Sequence, residues 1–244
     1  MRGLTAAEAL ELWERGSGES PVRRALLLLA PVCPDLGPAA LERLPLGERD
    51  ALLLDLRERT FGSALSSTTA CPACGGQVQA DFTTRSIRAP RKNRKENWEL
   101  DHQGVTARFR LLDSLDLEAV TQAADEESAR RALLGRCLAT AGGTRGDTPD
   151  VSEFSDAFVT ALATRLADAD PQADVSLALD CPGCGHRWDA PFDIAGFFWI
   201  ELQSYARRLL QEIHELASAY GWTEAQILAL TPARRAAYLE LVHG

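Results

Sequence analysis

Apolar residues recur at helical spacing through most of this chain and alternate strictly with polar ones in three short stretches. Thr5-Ala-Ala-Glu8 reads as a capping box, and Ala9, Leu10 and Leu12 follow it, which predicts a helix over about 5–15. Gly16 to Ser20 interrupts the pattern, and Ser20-Pro21 opens a second helix with proline in its first turn. Pro31, Pro34 and Gly37-Pro38 end that segment. Glu48 to Phe61 is a third helix, rich in leucine on more than one face, and Gly62 stops it. Val78, Ala80 and Phe82 then alternate with polar residues, as in a strand leaving a tight turn. Val105 to Leu111 alternates again. Ser114 can cap a helix over about 115–124, and Asp125 to Ala139 continues helical. Gly142 to Asp150 is a polar, glycine-rich loop, and Ser152 to Ala167 is another amphipathic helix. Val175 to Leu179 is the third alternating stretch. A long helix over about Ile194 to Ala219 ends at Gly221. Thr223-Glu-Ala-Gln226 caps a short helix, and Thr231-Pro232 opens the last, which ends near Val242. No repeat and no low-complexity tract stands out.

The cysteines change the picture most. Four of the six fall into two Cys-x-x-Cys pairs, CPACGG at 71–76 and CPGCGHRW at 181–188. Each pair turns two thiols to one side of a tight knuckle, and the glycine after the second cysteine permits the backbone turn. Two knuckles together supply the four sulfur ligands of a tetrahedral zinc site. Cys71, Cys74, Cys181 and Cys184 are therefore expected to hold one structural zinc. Such a shell is closed, with no position for a reacting water, so His186 is read as a surface residue rather than a spare ligand. Two pairs outside a βαβ pattern argue against redox chemistry. Cys33 and Cys137 read as small core residues. The predicted fold is α+β, mainly helical, with a small central four-cysteine zinc-ribbon β-sheet. Its regions are an N-terminal helical part (1–62), the ribbon with a helical insertion (63–192, insertion about 114–168), and a C-terminal helical part (193–244).

Composition narrows the function classes. The 244 residues are 45% hydrophobic and 25% charged, ordinary for a globular protein. No apolar run is long enough to span a membrane, and the start of the chain lacks a signal-peptide core, so a cytoplasmic location is expected. The net charge of −9 argues against a nucleic-acid grip, although Arg85, Arg88, Arg91, Lys92, Arg94 and Lys95 form a basic stretch. A nucleic-acid-binding zinc-ribbon protein, such as a transcription accessory factor, is the alternative function. No nucleotide loop, HExxH motif or acid–base pair appears, and the four histidines are scattered, which points away from an enzyme. The apolar positions of the C-terminal helices span more than a simple core stripe. Trp199, Tyr205, Trp222 and Tyr238 are the candidate partner-binding residues there.

Several stretches carry a family resemblance. FFWIELQSYARRLLQEIHELASAYGW and EAQILALTPARRAAYLELV, with the earlier RERTFGSALSSTTACPACGG and FRLLDSLDL, resemble baseplate proteins of contractile phage tails and extracellular contractile injection systems. The chain is similar to T-even phage baseplate hub assembly chaperones from about residue 46 onward. The resemblance implies a role in building or forming a baseplate, with baseplate or tail proteins as partners. It implies no catalytic residues, and it leaves a departing chaperone and a resident subunit both open.

Overall fold

The computed structural model describes residues 1–90, 98–102, 105–139 and 154–244. Four helices come first: α1 (Ala6–Gly16), α2 (Pro21–Leu29), α3 (Pro38–Glu42) and α4 (Leu46–Phe61). A hairpin of β1 (Ala64–Ala70) and β2 (Gln77–Thr83) follows. Then come β3 (Trp98–His102), β4 (Val105–Phe109), α5 (Ser114–Ala119), α6 (Glu126–Cys137), β5 (Leu138–Ala139) and α7 (Asp156–Ala169). A second hairpin, β6 (Ser176–Asp180) and β7 (Arg187–Pro191), leads into α8 (Ile194–Tyr220), α9 (Glu224–Leu228) and α10 (Pro232–His243). The chain is thus α+β and mainly helical, as expected. The small sheet is divided: each cysteine hairpin is its own two-stranded antiparallel ladder, and β3-β4-β5 form a separate three-stranded sheet.

Helix ends follow local chemistry. The Thr5–Glu8 and Thr223–Gln226 capping boxes both form. α4 stops where Gly62 takes φ +92°, and α8 stops at left-handed Gly221. Two expectations need correction. Pro38 does not only end a segment; it occupies the first turn of α3, where its missing N–H is harmless. The cap of α5 is Asp113 rather than Ser114: Asp113 Oδ1 accepts from Asp116 N–H at 3.1 Å, and Asp116 Oδ2 accepts from Asp113 N–H at 3.0 Å. This box leaves Ser114 as the first helical residue, and the helix ends at Ala119. The expected loop 142–150, the start of a helix at Ser152, and basic residues 91–95 lie outside the described residues.

Among the described residues, three hydrophobic cores and one satellite hold the elements. The first packs Leu28, Leu29, Leu53, Leu54 and Leu56 from α2 and α4 against Phe198 and Leu202 of α8. The second packs Phe109 and Leu138 of the three-stranded sheet against Leu134 and Cys137 of α6 and Phe158 and Leu162 of α7. The third joins Leu10 of α1 to Leu209, Ile213 and Leu216 of α8 and Ile227 of α9. The satellite is Cys71, Val78 and Cys181, with Trp188 against them. Cys33 and Cys137 are buried core residues, as read from the sequence.

Polar ties fix the two hairpins to the helices. Arg57 of α4, only 3% exposed, donates from Nε to Glu201 Oε2 of α8 at 2.8 Å and from Nη1 to the Gly62 carbonyl at 2.7 Å. That guanidinium clamps the point where the first hairpin leaves α4 to the helix that the second hairpin enters. Gly47 N–H donates to Asp170 Oδ2 at 2.9 Å, and Leu46 N–H to the Leu112 carbonyl at 2.9 Å, so the insertion docks on the start of α4.

Candidate metal centre

Both knuckles are built alike. Cys71 N–H donates to the Gly76 carbonyl at 2.8 Å, and Gly75 N–H to the Cys71 carbonyl at 2.8 Å. In the second, Cys181 N–H donates to the His186 carbonyl and Gly185 N–H to the Cys181 carbonyl, both at 2.9 Å. Gly75 and Gly185 take φ of +71° and +73°, a region that a Cβ disfavours. The likeness continues down the hairpins: Cys71, Cys74, Gly75, Ala80 and Phe82 stand at the positions of Cys181, Cys184, Gly185, Ala190 and Phe192. Phe82 and Phe192 meet edge-to-face with centroids 5.2 Å apart at the foot of the pair. This internal repeat was missed in the sequence, where the shared signal is C-P-x-C-G-x4-A-x-F.

The structure brings all four predicted ligands together. Their sulfur atoms lie within 4.8 Å of one another. Cys71 Sγ is 3.7 Å from Cys184 Sγ, and Cys74 Sγ is 3.7 Å from Cys181 Sγ. Four sulfurs at about 2.3 Å from a tetrahedral zinc would stand about 3.8 Å apart, so the donor set and its spacing fit such an ion. One cysteine of each knuckle, Cys71 and Cys181, is buried, while Cys74 and Cys184 reach solvent.

Neighbouring groups shift two of the four thiols in opposite directions. Cys184 N–H donates to the Cys181 sulfur and holds that thiol below its ordinary range, at about 7. At Cys184 the His186 N–H acts in the same sense, but the Cys74, Cys181 and Cys71 sulfurs outweigh it and push that thiol up to about 12. Four adjacent thiols cannot all ionise beside one another, and a central cation is what would allow it. His186 stays outside the cluster, and its ring stacks on Trp188 at 5.9 Å.

The remaining candidates divide. Trp199 is inside the protein, 6% exposed, with the Arg24 guanidinium 4.8 Å over its ring and Gly16 against its edge. Tyr205 is half-buried and meets Phe61 edge-to-face at 5.5 Å. Trp222 and Tyr238, also half-buried, pack edge-to-face at 4.8 Å, and exposed Tyr220 stacks on Trp222 at 4.7 Å. Of the basic stretch, Arg88 pairs with Asp55 at 2.6 Å and Glu58 at 3.2 Å on α4.

A family model described as T4 bacteriophage base plate protein matches residues 29–199. The chain belongs to that baseplate family. The match takes in both knuckles, the whole insertion and the start of α8. It stops at Trp199, so most of the tail that resembles baseplate proteins to the eye falls outside it. No protein of curated function and no solved structure matches the chain. No helix among the described residues is long and apolar enough to cross a membrane.

Proposed function

We propose that this chain is a non-enzymatic assembly factor or structural component of the baseplate of a contractile, phage tail-like injection system, stabilised by one structural zinc on Cys71, Cys74, Cys181 and Cys184. The observation that carries the reading is the family match over 29–199, whose two cysteine knuckles converge on one metal-sized cluster. Zinc would act there as a cross-link between two distant parts of the chain. Four thiolates close its shell, which supports a structural rather than a catalytic role. The all-sulfur donor set suits zinc or iron, and metal analysis separates them.

The partners on this reading are other baseplate or tail proteins. The partner face runs over the C-terminal helices around Trp222 and Tyr238, with Tyr220 at its rim. Tyr205 and Trp199 lie behind it, fixing α8 against α4 and α1. The test is metal content together with pull-down of the tagged chain from cells carrying the neighbouring tail genes. About one zinc per chain and co-purifying baseplate proteins are expected. Recovery of nucleic acid or polymerase subunits in place of tail proteins would overturn the reading. Purified particles then decide between the two roles, since a resident component stays in them and an assembly factor does not.

A further inference from the structure

Each cysteine hairpin is a two-stranded sheet, so each of its strands has one ladder edge turned away from its partner. Natural proteins blunt such edges with charge, proline or bulges. Three of the four hairpin strands do so: β2 carries Asp81, β6 carries Asp180, and β7 carries Arg187, Asp189 and Pro191. β1, Ala-Leu-Ser-Ser-Thr-Thr-Ala over 64–70, has no charge and no proline.

The hydrogen-bond phase fixes what this edge presents. Thr84 N–H donates to the Ser63 carbonyl, and Cys71 N–H to the Gly76 carbonyl, at the two ends of the β1–β2 ladder. Residues 63 and 71 therefore both turn inward, and antiparallel pairing alternates inward and outward groups. The N–H and C=O groups of Ala64, Ser66, Thr68 and Ala70 point away from β2. All four residues are exposed, and among the described residues no other strand pairs with β1.

The same segment is complementary to itself. A two-fold axis through Ser67 sets Ala64 opposite Ala70 and Ser66 opposite Thr68 of a second copy. All of these are outward-bonding residues, so the phase is right for a hydrogen-bonded ladder. Leu65 falls opposite Thr69, and no like charges meet across the axis, the arrangement that would otherwise destabilise a cross-strand pair. We propose that β1 is a homodimer edge: two copies pair antiparallel through residues 64–70 into a continuous four-stranded sheet, β2-β1-β1-β2, in an isologous interface.

Sedimentation of the purified, metal-loaded chain tests this, with metal content and far-UV circular dichroism as fold controls. The unmodified chain is expected to sediment as a dimer. Ser66→Lys with Thr68→Lys places lysine against lysine across the axis and should give monomer. Within one chain a lysine at 66 sits beside Asp81, the residue paired with Ser66 in the hairpin, so the fold should tolerate it. Ser66→Lys with Thr68→Glu faces opposite charges in this register and should restore the dimer. A monomeric unmodified chain, or two double variants with the same assembly state, would overturn the proposal. So would a chain that pairs β1 only with an extended segment of another protein.

Discussion

Asp116→Asn is the sharpest test of how the insertion is held. Asp116 is fully buried. Its carboxylate accepts from Arg110 at 2.6 and 2.8 Å, from Arg136 at 2.8 Å and from Asp113 N–H at 3.0 Å. Burial alone would raise its pKa, but the Arg110 hydrogen bonds, the Asp113 N–H and Arg136 outweigh it and hold the pKa below the usual aspartate range. The amide keeps the shape, removes the charge and turns one end of the acceptor fork into a donor facing arginine. Removing one partner of a fully buried pair costs about 3–5 kcal/mol. Here the two arginine side chains are 34% and 39% exposed and can regain water, which favours the lower end, about 3 kcal/mol. For a chain of this size that lowers Tm by roughly 6–12 °C. The sign with pH follows from the depressed pKa. The contribution is fully present above the ordinary aspartate value and is lost as pH falls through the lowered one. Asp113, raised by burial and by the Asp116 charge, runs in the opposite sense. Thermal melts of both proteins between pH 7 and about 3 should therefore converge at the acid end, below the ordinary aspartate pKa near 3.9. A shift under about 1 kcal/mol at pH 7, less than the range for breaking a buried pair, or a gap that widens on acidification, would refute the argument.

Other perturbations give distinct readouts. Cys181→Ser with Cys184→Ser should abolish metal binding and expose the hairpin amides to hydrogen exchange. The helical circular dichroism should largely persist, because the three main cores share no residue with the cysteine satellite. Gly16→Ala would set a Cβ 2.4 Å from the Trp199 ring, so α1 must shift off α8, at a cost of about 1–3 kcal/mol in a denaturant titration. Gly185→Ala forces a Cβ into φ +73° and should cost roughly 1–2 kcal/mol while leaving all four cysteines in place. Trp222→Ala should leave the fold and the cysteine cluster intact but weaken co-purification with baseplate proteins; unchanged recovery would remove Trp222 from the partner face.

Much of this was legible because it is local. Thr5–Glu8, Ser20-Pro21, Thr223–Gln226 and Thr231-Pro232 each write a helix start into adjacent residues, and the structure places helices there. The knuckles were legible because a Cys-x-x-Cys turn has few other uses at this spacing. β1 was not, since only Leu65 of its seven residues is buried and its strand character comes from pairing with β2. β7 hid in the same way behind Arg-Trp-Asp-Ala-Pro. Trp199 shows the limit of periodicity. A wide apolar surface on α8 predicts burial on several sides but not which neighbour covers each, and α1, from the far end of the chain, covers this one.

The same helix explains how the family region and the rest of the chain are joined. α8 runs 27 residues, about 40 Å at 1.5 Å per residue. Its first turns, Ile194 to Leu202, belong to the first core and receive the second hairpin directly through Phe192 and the Asp193 cap. From Ala206 to Leu216 it belongs to the third core, whose members all lie outside residues 29–199. Arg235, 2% exposed, ties α10 to this second half through Glu212 at 2.9 Å. One continuous helix therefore connects the metal-sized cysteine cluster to a terminal module formed by both chain ends. A helix without a sharp kink curves only gently, so the aromatic cluster of Tyr220, Trp222 and Tyr238 stands at the far end of α8 from the second hairpin. Loosening the hairpins should move it only by rotating α8 as a whole about its packing with α2 and α4.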